Sequence, residues 1–304
     1  MRVTNNMIAS NTLRNLNRNL SRLDKRNTQL STGKRINKPS DDPIGTSRAL
    51  RLRSDVSQIE QYKKNTDAAI SWLNITESAT KDLYNIIHKA KELAVQGASE
   101  TYSQNDRNTI ADEMEQLRDQ IIQLGNSTYT GRYIFSGFQT DEKTFNADGR
   151  YNITTTSVQN KKYQVSVGEE IEVGVFGTDL FGKPDSSSSP ANKAQIISDF
   201  DKAIQGLTDP MKSSQISTFI SDIEGHLNNV LSVTSEIGAK TNRLELVQNR
   251  LEQNNLDFTD LLSENEDVDM AETIMHMKME ESVYRASLSA GSRVIQPTLI
   301  DFIQ

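Results

Sequence analysis

Five stretches of this chain repeat apolar residues at spacings of three and four, the mark of helices that bury one stripe. The first covers residues 4–32, where Leu13, Leu16, Leu20, Leu23 and Leu30 follow one another with Asn27 at the skipped position. Gly33 supplies a stop. Six Asn residues between positions 5 and 19 weaken this helix taken alone. The second runs over 43–97. Asp42 is placed to cap it and Pro43 suits a first helical turn. Its stripe comprises Leu52, Val56, Ile59, Thr66, Ala69, Leu73, Thr76, Leu83, Ile87, Ala90 and Ala94, with Tyr62 and Trp72 beside it. At ~1.5 Å per residue it spans about 80 Å. A third helix is predicted over 104–125 between Ser103 and Gly125, on Ile110, Met114, Leu117, Ile121 and Leu124. A fourth covers 210–264, opened by a second cap-plus-proline pair, Asp209-Pro210. Its stripe runs from Ile216 through Ile237 and Leu251 to Leu262. The last covers 270–296 on Ile274, Met277, Tyr284, Leu288 and Ile295, and Pro297 ends it.

Between the third and fourth helices the pattern changes to alternation with β-branched and aromatic residues. Strands are expected at 133–138, at Phe145, and over 151–154, 163–167 and 171–176. Asp148-Gly149 reads as a hairpin turn. Ser186–Ser189 between Pro184 and Pro190 reads as a loop, and a short helix is expected over 191–206. The fold class is therefore mainly α with a β insert: an elongated antiparallel coiled-coil rod carrying a small β-rich domain at its tip. The expected partition is 1–42 with 265–304 as terminal helices, 43–140 with 207–264 as the helical rod, and 141–206 as the β-rich part.

Composition supports a thin core. Only 35% of the 304 residues are apolar, which suits a body that buries stripes rather than a thick sphere. The net charge of -7 is unevenly placed. Residues 1–53 hold 12 Lys or Arg against 3 Asp or Glu, whereas residues 264–304 hold 3 against 8. A basic arm can attract nucleic acid. Pairing of the two oppositely charged ends is the simpler reading, because the helical pattern already pairs them. The first 53 residues contain no aromatic on which single-stranded bases could stack.

No constellation for catalysis emerges. Without Cys the chain has neither disulfides nor thiolate sites. His88, His226 and His276 lie far apart in sequence, with no ligand-spaced pair. His276 among Met275, Met277 and Met279 could suggest a soft metal site, but a flexible apolar helix face explains it better. Residues 131–209 contain no His, so a metalloprotease insert lacks its ligands. Glu266-Asp267-Val268-Asp269 resembles a calcium loop without its glycine and terminal glutamate, and reads as an acidic helix start. No cofactor, metal or catalytic residue is expected. The opening residues form no apolar signal segment, and no apolar run has the roughly 18 residues of a membrane helix.

Two signatures carry a family resemblance. Gln29-Leu30-Ser31-Thr32-Gly33-Lys34-Arg35-Ile36-Asn37, followed by Ser40-Asp41-Asp42-Pro43, resembles the N-terminal signature of the flagellin family, as does Ala68–Gln96 its long helix. Asn126–Gly137 and Leu288–Phe302 look more like the branch at the hook–filament junction than like filament subunits. The resemblance covers roughly 1–140 and 210–304. It implies a structural protein exported through the flagellar type III apparatus and assembled as a ring of subunits. The partners it implies are hook-associated protein 1, flagellin, other copies of the chain, and an export chaperone on the C-terminal helix. Nucleic acid and membrane are not expected partners. The residues expected at the assembly interface are Leu13, Leu16, Leu20, Leu23 and Leu30 on the first helix, meeting Ile274, Met277, Tyr284, Leu288 and Ile295 on the last. The terminal helices are expected to order only when neighbours cover them. A filament flagellin is the alternative reading.

Overall fold

The computed structural model describes residues 5–99, 102–152, 160–185, 192–212 and 214–294. The long elements are α1 (Asn5–Thr32), α2 (Pro43–Gly97), α3 (Gln104–Gly125), α4 (Gly177–Phe181), α5 (Gln195–Thr208), α6 (Ser214–Glu266) and α7 (Met270–Val294). Among the described residues three antiparallel strand pairs interrupt them: β1 (Thr128–Tyr129) with β2 (Arg132–Tyr133), β3 (Lys162–Ser166) with β4 (Glu169–Glu172), and β5 (Pro184–Asp185) with β6 (Lys193–Ala194). The described architecture is thus mainly α with small antiparallel β pairs. Among the described residues no helix is long and apolar enough to cross a membrane.

The caps explain where the helices begin. Asp42 Oδ1 accepts the Gly45 N–H at 2.9 Å and so starts α2. Ser103 and Asp106 form a reciprocal capping box on α3. Asp209-Pro210 behaves differently from its counterpart at Asp42-Pro43. Asp209 Oδ1 accepts the Met211 N–H at 3.0 Å and closes a 3₁₀ turn, Pro210–Lys212, so α6 starts only at Ser214.

Packing divides the chain into two compact units, Met1–Gln58 with Asn254–Gln304, and Ile59–Gln253. The division falls inside α2 and α6, whereas the expected partition ends one segment at 42 and resumes it at 265.

In the second unit, α2 and α6 run antiparallel. Lys63 Nζ meets Glu252 Oε1 at 2.7 Å, Gln248 Nε2 donates to Asp67 Oδ1 at 2.6 Å, and Lys91 Nζ meets Glu224 Oε1 at 2.7 Å. Their facing stripes bury Ala69, Leu73, Leu83 and Ile87 on one side and Ile223, Val230, Ile237 and Leu244 on the other. A second row on α2, with Trp72, Ile86 and Leu93, is buried as well. On α3, Ile110, Met114 and Ile121 are buried, and α3 packs on α5, where Arg118 Nη1 meets Asp201 Oδ1 at 3.1 Å. Helix α5 is anchored to α6 by a buried pair, Asp199 Oδ2 to His226 Nε2 at 3.0 Å.

The β region is more irregular than its alternation suggests. Residues 134–138 form no strand; a single bridge joins Ser136 to Phe176. Ile134 and Phe135 are consecutive and both buried, which strand geometry on one covered face does not allow. Around Asp148-Gly149 the chain does reverse: Gly149 has φ +76°, Asn146 N–H donates to Arg150 O at 2.9 Å, and Phe145 bridges to Tyr151. The expected strand at 151–154 lies outside the described residues beyond Asn152, as does the whole Ser186–Ser189 loop. An aromatic core replaces a continuous sheet. Phe181 stands edge-on to Phe135 and Phe145, with centroids 5.4 and 5.1 Å away. The single Tyr151 hydroxyl proton is shared between the carbonyls of Gly182 at 2.6 Å and Gly177 at 3.0 Å, and burial raises the pKa of that hydroxyl. The β3–β4 hairpin lies on the two long helices. Asn65 Nδ2 donates to Gln164 O at 2.9 Å, Glu169 meets Arg243 and Arg250 at 2.9 and 3.1 Å, and Lys161 Nζ sits 3.6 Å from the Trp72 ring centre. The two arginines hold the Glu169 carboxyl below its usual pKa.

Candidate assembly surface

The first unit is built around the segment that joins α1 to α2. Gly33, at φ +71°, ends α1 where a side chain would be strained. Its carbonyl accepts the Val268 N–H at 3.0 Å, and the Arg35 N–H donates to Glu266 O at 2.7 Å, so the segment pairs with the α6–α7 joint. Gln29, almost fully buried, reads the same turn: its Nε2 donates to Arg35 O at 2.9 Å and its Oε1 accepts from Arg26. Arg35 reaches Asn265 O at 2.8 Å and Asp42 Oδ2 at 3.1 Å. Ile36 is buried against Gly45, where an added Cβ would fall 2.7 Å from the Ile36 Cδ1.

The charges of this joint are paired. Glu266 is 2% exposed and accepts from Lys34 Nζ at 2.7 Å and from Arg53 Nε at 3.2 Å. Lys25 Nζ meets Asp41 Oδ1 at 3.0 Å. That bond, with the Lys38 N–H, holds the Asp41 carboxyl below its usual pKa. The Gly45 N–H and then Arg35 do the same for Asp42. A cleft of about 300 Å³ lies among these groups, lined by Arg22, Lys25, Arg26, Arg35, Asp41, Asp42 and Glu280. The ion pairs Arg22–Glu280, Lys25–Asp41 and Arg35–Asp42 fill most of its charge. The acidic run at 266–269 is therefore a helix joint: Glu266 is its anchor, Asp267 accepts from Ser263 at 2.6 Å, and Asp269 Oδ1 caps α7 at the Glu272 N–H. His276 lies 3.3 Å from Glu272 on α7, one turn away.

Helices α1 and α7 pair antiparallel. Asn19 Nδ2 donates to Ser287 Oγ at 2.9 Å, Arg22 Nε meets Glu280 at 3.2 Å, and Gly291 lies against Thr12. The face that α1 turns to α7 differs from the predicted one. Leu16, Leu23 and Leu30 are half-buried as one heptad position, but the other position falls on Thr12, Asn19 and Arg26. Leu13 and Leu20 point outward, 52% and 46% exposed. The same offset occurs on α7. Met277 and Tyr284 are half-buried, Thr273 and Gly291 are buried, and Ile274 and Leu288 are 46% and 44% exposed. Ile295 lies outside the described residues. Within one chain, then, the structure brings the Leu16–Leu23–Leu30 row to the Met277–Tyr284 row and leaves Leu13, Leu20, Ile274 and Leu288 uncovered. Met275 and Met279 extend the exposed apolar surface of α7. Sequence reasoning missed Asn19, Gln29 and Glu266 as the polar groups that organise this unit. For Asn19 the signal was its place in the seam register; Gln29 and Glu266 act on the turns beyond the helix ends, where no periodic pattern marks them.

Two antiparallel helical pairs, joined through a glycine-stopped loop and carrying a β insert, define a flagellin-type subunit. The family description bacterial flagellin N-terminal helical region matches residues 3–140, and bacterial flagellin C-terminal helical region matches residues 220–303. The chain belongs to the bacterial flagellin family. Over 309 aligned residues it is 30% identical to flagellar hook-associated protein 3 of Escherichia coli, covering 95% of this chain and 96% of that one. It is 28% identical to a flagellin of Bacillus subtilis, covering 94% of each. The solved flagellar hook-associated protein 3 of Legionella pneumophila superposes with a TM-score of 0.59 at 17% identity, over 70% of this chain and 96% of that one, and so shares the fold.

Proposed function

We propose that this chain is the structural subunit of the hook–filament junction of a bacterial flagellum, without catalytic activity. The reading draws on its full-length similarity to a flagellar hook-associated protein 3. The observation that carries it is the offset seam of the terminal helices. A free-standing pair would bury its leucines. Here the intrachain seam takes Asn19, Thr273 and Ser287, while Leu13, Leu20, Ile274 and Leu288 face out. That arrangement suits a helix pair finished by neighbouring copies. Covering a roughly half-exposed Leu adds about 1 kcal/mol.

In this reading residues 1–42 with 265–304 form the inner layer of the assembly and order on incorporation. Residues 43–140 with 207–264 form the middle layer, and 141–206 face outward. The subunit is exported, joins hook-associated protein 1 on one side and flagellin on the other, and is held by a chaperone at the C-terminal helix beforehand. The double variant Leu13→Ser/Leu20→Ser tests the seam. Its circular dichroism and thermal unfolding stay within ~0.5 kcal/mol of the parent, as surface changes do, but it fails to enter the flagellum. Normal incorporation would remove the basis for the reading.

A further inference from the structure

A groove of about 600 Å³ opens on the second unit between the C-terminal end of α3, the β1–β2 pair and residues 143–147. Clefts of this size commonly hold small ligands. Its walls are fixed by bonds that need no ligand. Asn126 closes α3 and clamps the opposite wall: its Nδ2 donates to Phe145 O at 3.0 Å and its Oδ1 accepts the Phe145 N–H at 2.9 Å. Phe145 is fully buried against Gly125. The Asn146 N–H donates to Arg150 O at 2.9 Å, and the Tyr133 N–H donates to Thr140 O at 2.9 Å. Thr128 and Tyr133 are directly opposed across β1 and β2, which puts their side chains on one side of the pair.

The lining between these anchors is polar and unused. The side chains of Gln123, Thr128, Tyr133, Lys143 and Asn146 make no hydrogen bond or ion pair among the described residues. Together they supply amide, hydroxyl and ammonium groups, donors and acceptors both, around one space. Half-buried Tyr133 adds an aromatic body with a polar tip. Charge is close to balanced: Asp119 pairs with Arg118 at 2.9 Å, and Lys143 directly follows Asp141 and Glu142. A phosphate-bearing ligand would call for several cations or a nest of backbone N–H groups, and the lining has a single free cation. An apolar ligand would find only Ile122, Phe145 and Ala147, the first two already buried. A peptide strand would need a long free edge, and β1 and β2 are two residues each. An uncharged saccharide meets the lining on every count. Its hydroxyls donate and accept around the ring, and its C–H face is apolar enough to lie on a tyrosine ring.

We infer that this groove binds an uncharged saccharide, with Tyr133 against a pyranose face and Gln123, Thr128 and Asn146 bonding its hydroxyls. The inference goes beyond the junction reading and stands or falls without it. The full chain, isotope-labelled, is titrated with cellobiose, maltose, chitobiose and their tetrasaccharides while backbone amide shifts are followed by NMR. At least one sugar should give saturable shifts centred on Gln123, Tyr133 and Asn146. Tighter binding of the tetrasaccharide marks a glycan chain as the natural ligand, and equal binding marks a free sugar. Tyr133→Ala and Gln123→Ala/Asn146→Ala should each weaken binding at least tenfold. The double variant guards against a folding artefact. Its two side chains are exposed and unbonded, so its Trp72 emission and thermal unfolding should match those of the parent. No saturable shift with any of the sugars, shifts centred elsewhere, or undiminished binding by the double variant overturns the inference.

Discussion

The Glu266 joint makes an asymmetric prediction. Glu266 is 2% exposed, but its partners Lys34 and Arg53 have side chains 41% and 51% exposed. Removing the carboxylate with Glu266→Ala leaves two cations that water can reach, so the loss is limited to charge-assisted bonds made in a half-wet site. About 2 kcal/mol is expected, at the low end of the ~1.5–3 kcal/mol for bonds to charged groups. Removing both cations with Lys34→Ala/Arg53→Ala leaves the carboxylate buried and unpaired, which costs about 3–5 kcal/mol. The readout is hydrogen exchange at the amides of Arg35 and Val268, which bond to Glu266 O and Gly33 O across the joint. Protection should fall roughly 30-fold for Glu266→Ala and at least 100-fold for the double variant, since ~1.4 kcal/mol is tenfold. An equal or reversed order would refute the assignment of Glu266 as a buried anchor.

The other predictions concern single groups. Gly125→Ala places a Cβ 2.3 Å from the Phe145 ring and should cost about 1–3 kcal/mol in urea unfolding, whereas Gly225→Ala and Gly238→Ala, in open space on α6, should each gain about 0.5–1 kcal/mol. Trp72, the only tryptophan, is 1% exposed, so its emission should be blue-shifted, and Trp72→Phe should destabilise the second unit by a few kcal/mol. Asp42 has a folded pKa below its unfolded one, so its support of α2 is complete above the ordinary carboxylate value of about 4 and fades as pH falls through the lower folded value. Amide protection at Gly45 should therefore decline in acid, and Asp42→Asn should abolish that decline.

The helices were legible because each combines a long stripe with a cap. The bounds of α2 and α3 coincide with Asp42-Pro43, Gly97, Ser103 and Gly125. Asp209-Pro210 shows the limit of that logic, since the same two residues serve a 3₁₀ turn. The terminal seam was legible in part. Spacings of three and four admit two registers that share Leu16, Leu23 and Leu30, and apolarity alone selects Leu13 and Leu20 over Thr12 and Asn19. The chain packs the polar register, with Asn19 meeting Ser287. A sequence pattern records every surface a residue will meet, including those supplied by other molecules, and cannot divide them. The β insert was least legible. Helix α4 and the β5–β6 pair carry no periodic signal, and the Phe135–Phe145–Phe181 cluster forms from residues up to 46 positions apart rather than from alternation. The buried Asp199–His226 pair is equally invisible in sequence, because its partners sit on separate helices.

The central claim is a place between hook and filament. It is tested most directly by deleting the gene in its flagellated host, imaging the cells by electron microscopy and assaying flagellin in the medium. The account predicts hooks without filaments and flagellin shed into the medium. Normal filaments would contradict it, and bare hooks with no flagellin in the medium would make this chain the filament subunit instead.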